Sequence, residues 1–303
     1  MVVTKPLLIC VVGCTAIGKT ALSIKIASFF STEIISADSR QFFKEMTIGT
    51  AVPSSEELLT VPHHFIQNRS IKKDYSVGDF EKEALVILDR LFKNHPVAVM
   101  VGGSGLYVDA VVKGLDTFPK VSSEIRDKLN KEFTSSGIVS LQEELQQVDP
   151  DYYKKVDIYN HYRLIRALEI YRSTGKPYSS FINQPDKERS FNTMFIGLTA
   201  DRGIVYDRIN QRVDIMVENG LIEEAKGLLV HKELNALQTV GYRELFQYFE
   251  GSLSHDEAIS EIKKNTRRFS KRQNTWFKKN KAIHWFDYET TPSEIIQFIQ
   301  EKK

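Results

Sequence analysis

Short apolar, β-branched runs alternate along this chain with longer stretches in which apolar positions recur every three or four residues. Leu7–Val12, Glu33–Ser36, Val97–Val101, Met194–Leu198 and Ile283–Phe286 predict strands. Most lack the polar alternation of a half-exposed strand, which suits burial on both faces. Helical spacing follows most of them, over Lys19–Phe30, Gly78–Lys93, Ile204–Asn219 and Ser254–Lys279. Strands separated by helices pair in parallel, with helices covering both faces. The expected fold class is therefore α/β. The stretch 117–188 departs from that rhythm, with amphipathic helical patterns at Ser123–Phe133, Ser140–Val148 and Asn160–Ser173 and no strand. Turn signals at Gly137, Asp149-Pro150 and Gly175 separate them. A helical insertion domain at 117–188, set into a core formed by 1–116 and 189–303, is expected.

At 303 residues, with 42% apolar and 26% charged content, the chain has the composition of a soluble globular protein. No apolar run reaches the length of a membrane span, and the start lacks the pattern of a secretory signal, so no membrane partner is expected. The two cysteines, Cys10 and Cys14, argue against a disulfide framework or structural zinc and for a reducing cytoplasm. The net charge of +2 hides one asymmetry: nine Lys or Arg and no acid lie between Lys263 and Lys281. Such a stretch points to a local contact with a polyanion.

Candidate chemistry begins at "GCTAIGKT", Gly13–Thr20, which follows the first strand and opens the first helix. Gly13 and Gly18 allow the backbone to curl so that its N–H groups face phosphate oxygens. Lys19 adds a charge, Thr20 a hydroxyl for Mg2+, and the helix its positive end. This makes the expected architecture a P-loop-type parallel sheet. Ligands of such sheets sit beyond the carboxyl ends of the strands. Four segments should meet there: the loop, "ADSRQ" after the second strand, "GGSGLY" after Val101, and "TADR" after Leu198. Asp38 fits a magnesium ligand, a general base or a helix-capping carboxylate. Arg208 and Arg212, four residues apart on one helix face, fit a diphosphate clamp or a solvated basic face. Ile262, Phe269 and Trp276 recur every seven residues and predict a buried stripe on the basic helix.

Taken together and in order, "GCTAIGKT", "ISADSRQ", "IGTAVP", "PHHF", "YSVGDF", "VGGSGLY", "RLIRALEIYRSTGKP", "DRGIVYDRINQRVDIM", "QTVGYRE" and "TRRFSKRQNTWF" resemble the tRNA dimethylallyltransferase (tRNA isopentenyltransferase) family of bacterial type. The resemblance runs nearly end to end. It implies transfer of a dimethylallyl group from dimethylallyl diphosphate to the exocyclic amine of the adenosine 3′ to the anticodon of tRNA. A monomer is expected. By similarity, Gly13, Cys14, Thr15, Ala16, Ile17, Gly18, Lys19 and Thr20 form the diphosphate loop, with Mg2+ on Thr20 and Arg208 a further candidate contact. Asp38, Thr15 and Arg212 are the implied catalytic set, Asp38 accepting the amine proton. Asp38, Ser39, Arg40, Gln41, Ser104, Tyr162, Arg163, Leu164, Ile165, Arg166, Gln238, Thr239, Val240, Gly241, Tyr242, Arg243, Lys271 and Arg272 are the implied contacts to the anticodon stem-loop. The chain departs from the family's usual residues at Cys14, Ile17, Glu45, Thr47, Val52 and Tyr162. A P-loop kinase of small molecules would leave the basic helix and the insertion without a role, and an adenylate isopentenyltransferase would need no surface the size of a stem-loop.

Overall fold

The computed structural model describes residues 5–303. The chain divides into two compact units, one comprising the residues up to Lys113 with Glu188–Lys303, the other Gly114–Lys187. Insertion of the second into the first thus begins a few residues ahead of position 117.

The larger unit is built on β1 (Leu7–Gly13), β2 (Ile34–Ser36), β3 (His63–His64), β4 (Val97–Val101), β5 (Asn192–Thr199) and β6 (Ile283–Asp287). They form one sheet in the order β3-β2-β4-β1-β5-β6, and every pairing is parallel. The chain leaves β1 for one side of the sheet, returns as β4, then crosses to the other side as β5. That reversal about β1 opens a crevice at the carboxyl edge. The edge strand β3 was not expected; at two residues it is too short to leave a sequence pattern and is held by pairing with Ile34 and Ile35.

Helices α1 (Lys19–Phe29), α2 (Ser55–Thr60), α3 (Val77–Leu91) and α4 (Gly105–Val112) lie in the first half. In the smaller unit are α5 (Ser123–Ser136), α6 (Val139–Val148), α7 (Pro150–Tyr153) and α8 (His161–Thr174). The larger unit resumes with α9 (Arg202–Glu218), α10 (Leu221–Leu228), α11 (Tyr242–Phe249), α12 (His255–Phe277) and α13 (Pro292–Lys302). Alternate residues of β1 feed two cores. Leu7, Ile9 and Val11 pack with Ile24 and Ile26 of α1 and Ile295 and Ile299 of α13. Leu8, Cys10 and Val12 pack with Phe80, Ala84 and Leu88 of α3 and with Phe277 at the end of α12. Each fully buried large side chain contributes roughly 1.5–3 kcal/mol of transfer free energy, so the sheet is a rigid base for what stands on its edge. A third cluster joins α9, α10, α11 and α12 through Val213, Leu221, Tyr242, Leu245 and Ile262.

In the smaller unit Leu129, Leu141, Leu145, Leu164 and Leu168 form the core. Beside it Glu169, 1% exposed, receives Arg126 through two bonds of 2.6 Å, and also Arg166. Burial disfavours its charge, but the two guanidiniums outweigh that and hold its carboxyl below the ordinary range.

Candidate active site

At the carboxyl end of β1 the backbone turns at Gly13, where φ is 139° and an added Cβ would lie 2.7 Å from the Leu198 carbonyl of neighbouring β5. The loop then passes through left-handed conformations at Ala16 and Gly18, with φ of 63° and 109°. No side chain caps α1 and no acid stands in its first turn, whereas α2, α3, α12 and α13 are closed by Ser or Thr capping boxes. The first-turn N–H groups of α1 therefore face outward with the helix dipole behind them, a ready anion site. Lys19 folds back and donates from Nζ to the Cys14 carbonyl at 2.6 Å. Part of Lys19 still faces solvent, but the protein crowded around its ammonium disfavours the charge and lowers its pKa to about 8.

Beside this loop opens a cavity of about 390 Å3. Thr15, Lys19 and Thr20 line it from the loop, Asp38–Gln41 from the β2 edge, and Gly102–Ser104 from the β4 edge. Arg212 of α9 and Arg272 and Gln273 of α12 also stand in the wall. The Arg212 guanidinium donates to the Thr15 hydroxyl at 3.3 Å. Burial lowers its pKa, though a guanidinium stays charged. Asp38 closes a local turn by accepting the Arg40 N–H at 3.1 Å. The next residue, Ser39, donates its N–H to the Ser104 hydroxyl at 3.2 Å, so the β2 and β4 edges are tied together beside the carboxylate. A cluster of positive groups at a helix N-terminus thus faces a carboxylate across a small cavity. Such a site can hold a polyphosphate leaving group and accept a proton from the group that displaces it.

Residues 41–280 match the family described as IPP transferase. The chain belongs to the IPP transferase family. It is 60% identical over 295 residues to the tRNA dimethylallyltransferase of Christiangramia forsetii, covering 97% of this chain and 98% of that one. To the enzyme of the same name from Flavobacterium psychrophilum it is 56% identical over 301 residues, with 97% and 98% coverage. Among solved structures it resembles the tRNA isopentenylpyrophosphate transferase of Bacillus halodurans, with TM-score 0.74, 37% identity, and 98% and 97% coverage. It also resembles a eukaryotic dimethylallyltransferase caught acting on tRNA, with TM-score 0.83, 25% identity, and 98% and 80% coverage.

Within this IPP transferase several expected contacts stand elsewhere than the residue pattern implied. The segment "TADR" does not line the cavity; Arg202 lies over the Tyr206 ring instead. Arg208 donates from Nε to the Ala16 carbonyl at 2.7 Å and lies against the Tyr288 ring, so it braces the strained loop from behind while Arg212, one turn on, reaches the cavity. The side chains of Cys14 and Ile17 are buried in the sheet core, which leaves only their backbone to meet an anion. Arg40 donates to the carbonyls of Asn235 and Ala236, and Gln41 to those of Thr50 and Ala51, so both act as struts as much as wall.

Of the segment 238–243, Gln238, Thr239, Val240, Gly241 and Arg243 line the cavity, but Tyr242 is fully buried and donates its hydroxyl to Glu224 at 2.7 Å. Burial, reinforced by that carboxylate, keeps the phenol protonated far above the ordinary range. It is a core residue, not an RNA contact. In α8 likewise, Leu164 and Ile165 belong to the core of the smaller unit and Arg166 is bound to Glu169, whereas Tyr162 and Arg163 are exposed. Helical rotation alone makes a contiguous five-residue contact impossible.

The expected buried stripe of α12 is also corrected. Ile262 is buried, but Phe269 and Trp276 are 40% and 41% exposed. Phe269 lines the cavity, and Trp276 donates its ring N–H to Asp109 of α4 at 2.9 Å. The buried face instead runs through Ala258, Ile262, Ser270, Gln273 and Phe277. Gln273, overlooked in the sequence, accepts the Thr15 N–H at 2.8 Å and donates to the Gly103 carbonyl at 3.0 Å. The available signal was a glutamine one helical turn before a core phenylalanine, on a helix otherwise read for charge.

Proposed function

We propose that this protein transfers a dimethylallyl group from dimethylallyl diphosphate to the exocyclic amine of the adenosine 3′ to the anticodon in tRNA, releasing diphosphate. The observation that carries the reading is one cavity lined together by Thr15, Lys19, Thr20, Arg212, Asp38 and Ser104. The diphosphate sits on the loop and the start of α1, where Lys19 and Arg212 stabilise charge as the allylic C–O bond breaks. The amine nitrogen forms the new N–C bond, and its proton passes to the Asp38 carboxylate. Holding both partners in a closed pocket supplies the orientation this substitution needs.

The residues present fit a magnesium ion held largely by the diphosphate. Thr20 lines the cavity, and among the described residues no cluster of three or more His, Cys, Asp or Glu forms a metal cage. Thr20 would hold that ion, whose charge would offset that of the departing diphosphate.

The RNA face of the reading rests on Arg243, Lys271 and Arg272, all exposed, and on the aromatic wall at Phe269. The target base must leave its stack to enter a cavity of this size. The reading takes the chain to act as a monomer. No helix among the described residues is long and apolar enough to cross a membrane.

The test offers purified protein labelled dimethylallyl diphosphate or, separately, labelled ATP, each with an anticodon stem-loop bearing adenosine at the position 3′ to the anticodon. Label from the prenyl donor should enter the RNA, only when that adenosine is present. Phosphoryl transfer from ATP without prenylation would overturn the reading in favour of a kinase.

A further inference from the structure

We propose that Gln273 is a positioning residue of this transfer: its single amide fixes the phosphate loop at Thr15 to the glycine turn at Gly103 and so sets the spacing between the leaving-group and acceptor sides of the cavity. The inference rests on the proposed reaction. Gln273 is 6% exposed, and Phe277, one turn further along α12, anchors the helix in the core under the sheet. The Thr15 N–H can only donate and the Gly103 carbonyl can only accept, so the two partners dictate which way the amide points. A neutral donor and acceptor at this reach is what glutamine supplies. Leucine offers neither, and an ionised glutamate lacks the donor. Gly103 is matched to it, since an added Cβ there would lie 2.2 Å from the Gln273 amide nitrogen.

Each end of this bridge adjoins a working group. Thr15 receives Arg212 on its hydroxyl, on the diphosphate side. Gly103 precedes Ser104, whose hydroxyl holds the N–H of Ser39, the neighbour of Asp38, on the acceptor side. Although Gln273 lies in the cavity wall, its oxygen and nitrogen are committed to backbone, so it acts through Thr15 and Ser104. Substitution chemistry requires reacting atoms about 3–3.5 Å apart, and a displacement of about 1 Å costs on the order of 100-fold in rate. Freeing these two loops from one another should therefore appear in kcat. The anion-binding groups of α1 and the exposed cations of α12 are left in place, so substrate affinity should hold.

Steady-state kinetics with dimethylallyl diphosphate and the stem-loop, on the parent protein, Gln273→Leu and Gln273→Glu, tests this. Gln273→Leu should lower kcat on the order of 30- to 100-fold with both KM values within about threefold. Gln273→Glu carries a signature that mere stability would not. Its protonated acid restores both bonds, donating to Gly103 and accepting from Thr15, whereas its carboxylate repels the Gly103 carbonyl. Burial raises the pKa of such an acid. The ratio of its kcat to that of the parent should thus climb as pH falls. Taking the ratio divides out the pH dependence common to both proteins, leaving the new acid and its coupling to Lys19, Asp38, Arg212 and Arg272, which face the same cavity. A Gln273→Leu kcat within about threefold of the parent, a loss confined to the KM for RNA, or a flat Gln273→Glu ratio would each overturn the inference. Should Gln273→Leu fail to fold, the Gln273→Glu ratio decides by itself. An inactive parent would refute the proposed function instead.

Discussion

Glu224, on α10, has no assigned role in the reaction, yet four donors converge on it. Its Oε2 accepts the N–H groups of Thr47 and Ile48 at 2.9 and 2.8 Å, and its Oε1 accepts the Gly49 N–H at 2.9 Å and the Tyr242 hydroxyl at 2.7 Å. The loop it grips continues through Gly49, Thr50 and Ala51, which line the cavity. Glu224→Gln keeps the shape but turns one acceptor into a donor. With its NH2 toward Thr47 and Ile48, two N–H groups lose their partner. With the amide reversed only the Gly49 N–H is orphaned, because the Tyr242 hydroxyl can rotate and accept. The reversed orientation should win. Losing charge assistance on the remaining bonds and leaving one N–H unmet costs about 2–3 kcal/mol. For a chain of this size that lowers the melting temperature by about 4–10 °C. Tyr242→Phe removes one of the same bonds, so the double variant should be less destabilised than the sum of the singles. Thermal melts of the four proteins measure all of this. A Glu224→Gln melt within about 1 °C of the parent, or strict additivity with Tyr242→Phe, would show that the carboxylate does not hold the loop.

Asp38→Asn should lower kcat by about 100- to 10,000-fold while diphosphate binding, measured by displacement, stays near that of the parent; parallel loss of both would remove the base assignment. Lys19, with its pKa near 8, is largely protonated at pH 7 and half neutral at pH 8. Diphosphate should restore the charge, so calorimetry near pH 8 in buffers of differing ionisation enthalpy should detect uptake of up to about half a proton, with affinity falling as pH rises further. That uptake should vanish well below pH 7 and in Lys19→Met. Neutralising Lys271 and Arg272 together should reduce the slope of log affinity for RNA against log salt by roughly 1.4–1.8 if both meet phosphates; an unchanged slope would take α12 off the RNA.

The layered α/β plan was legible in the apolar runs between Leu7 and Phe286, and the glycine loop before α1 in Gly13–Thr20. A doubly buried parallel strand is a continuous apolar run, and a glycine turn leading into a helix is a local object whose residues, here Gly13–Thr20, lie within eight positions of one another. Locality is what made them readable. The helical insertion was legible for the same reason, since amphipathic spacing and turn residues report on neighbours in sequence.

What required the tertiary structure was every partner chosen across long separations. Arg208 and Arg212 share a helix face, but only the docking of α9 against the loop decides that one braces Ala16 while the other reaches Thr15. The face of α12 could not be read from hydrophobicity, because the side it buries includes Ser270 and Gln273 and the side bearing Phe269 opens on a cavity. Tyr242, Leu164 and Ile165 sit in segments that resemble RNA contacts, yet helical rotation turns them into cores. Periodicity shows that a helix has a buried side. Which side, and what it meets, is determined by the packing of elements far apart in the chain, as between Thr15 and Gln273, 258 residues apart.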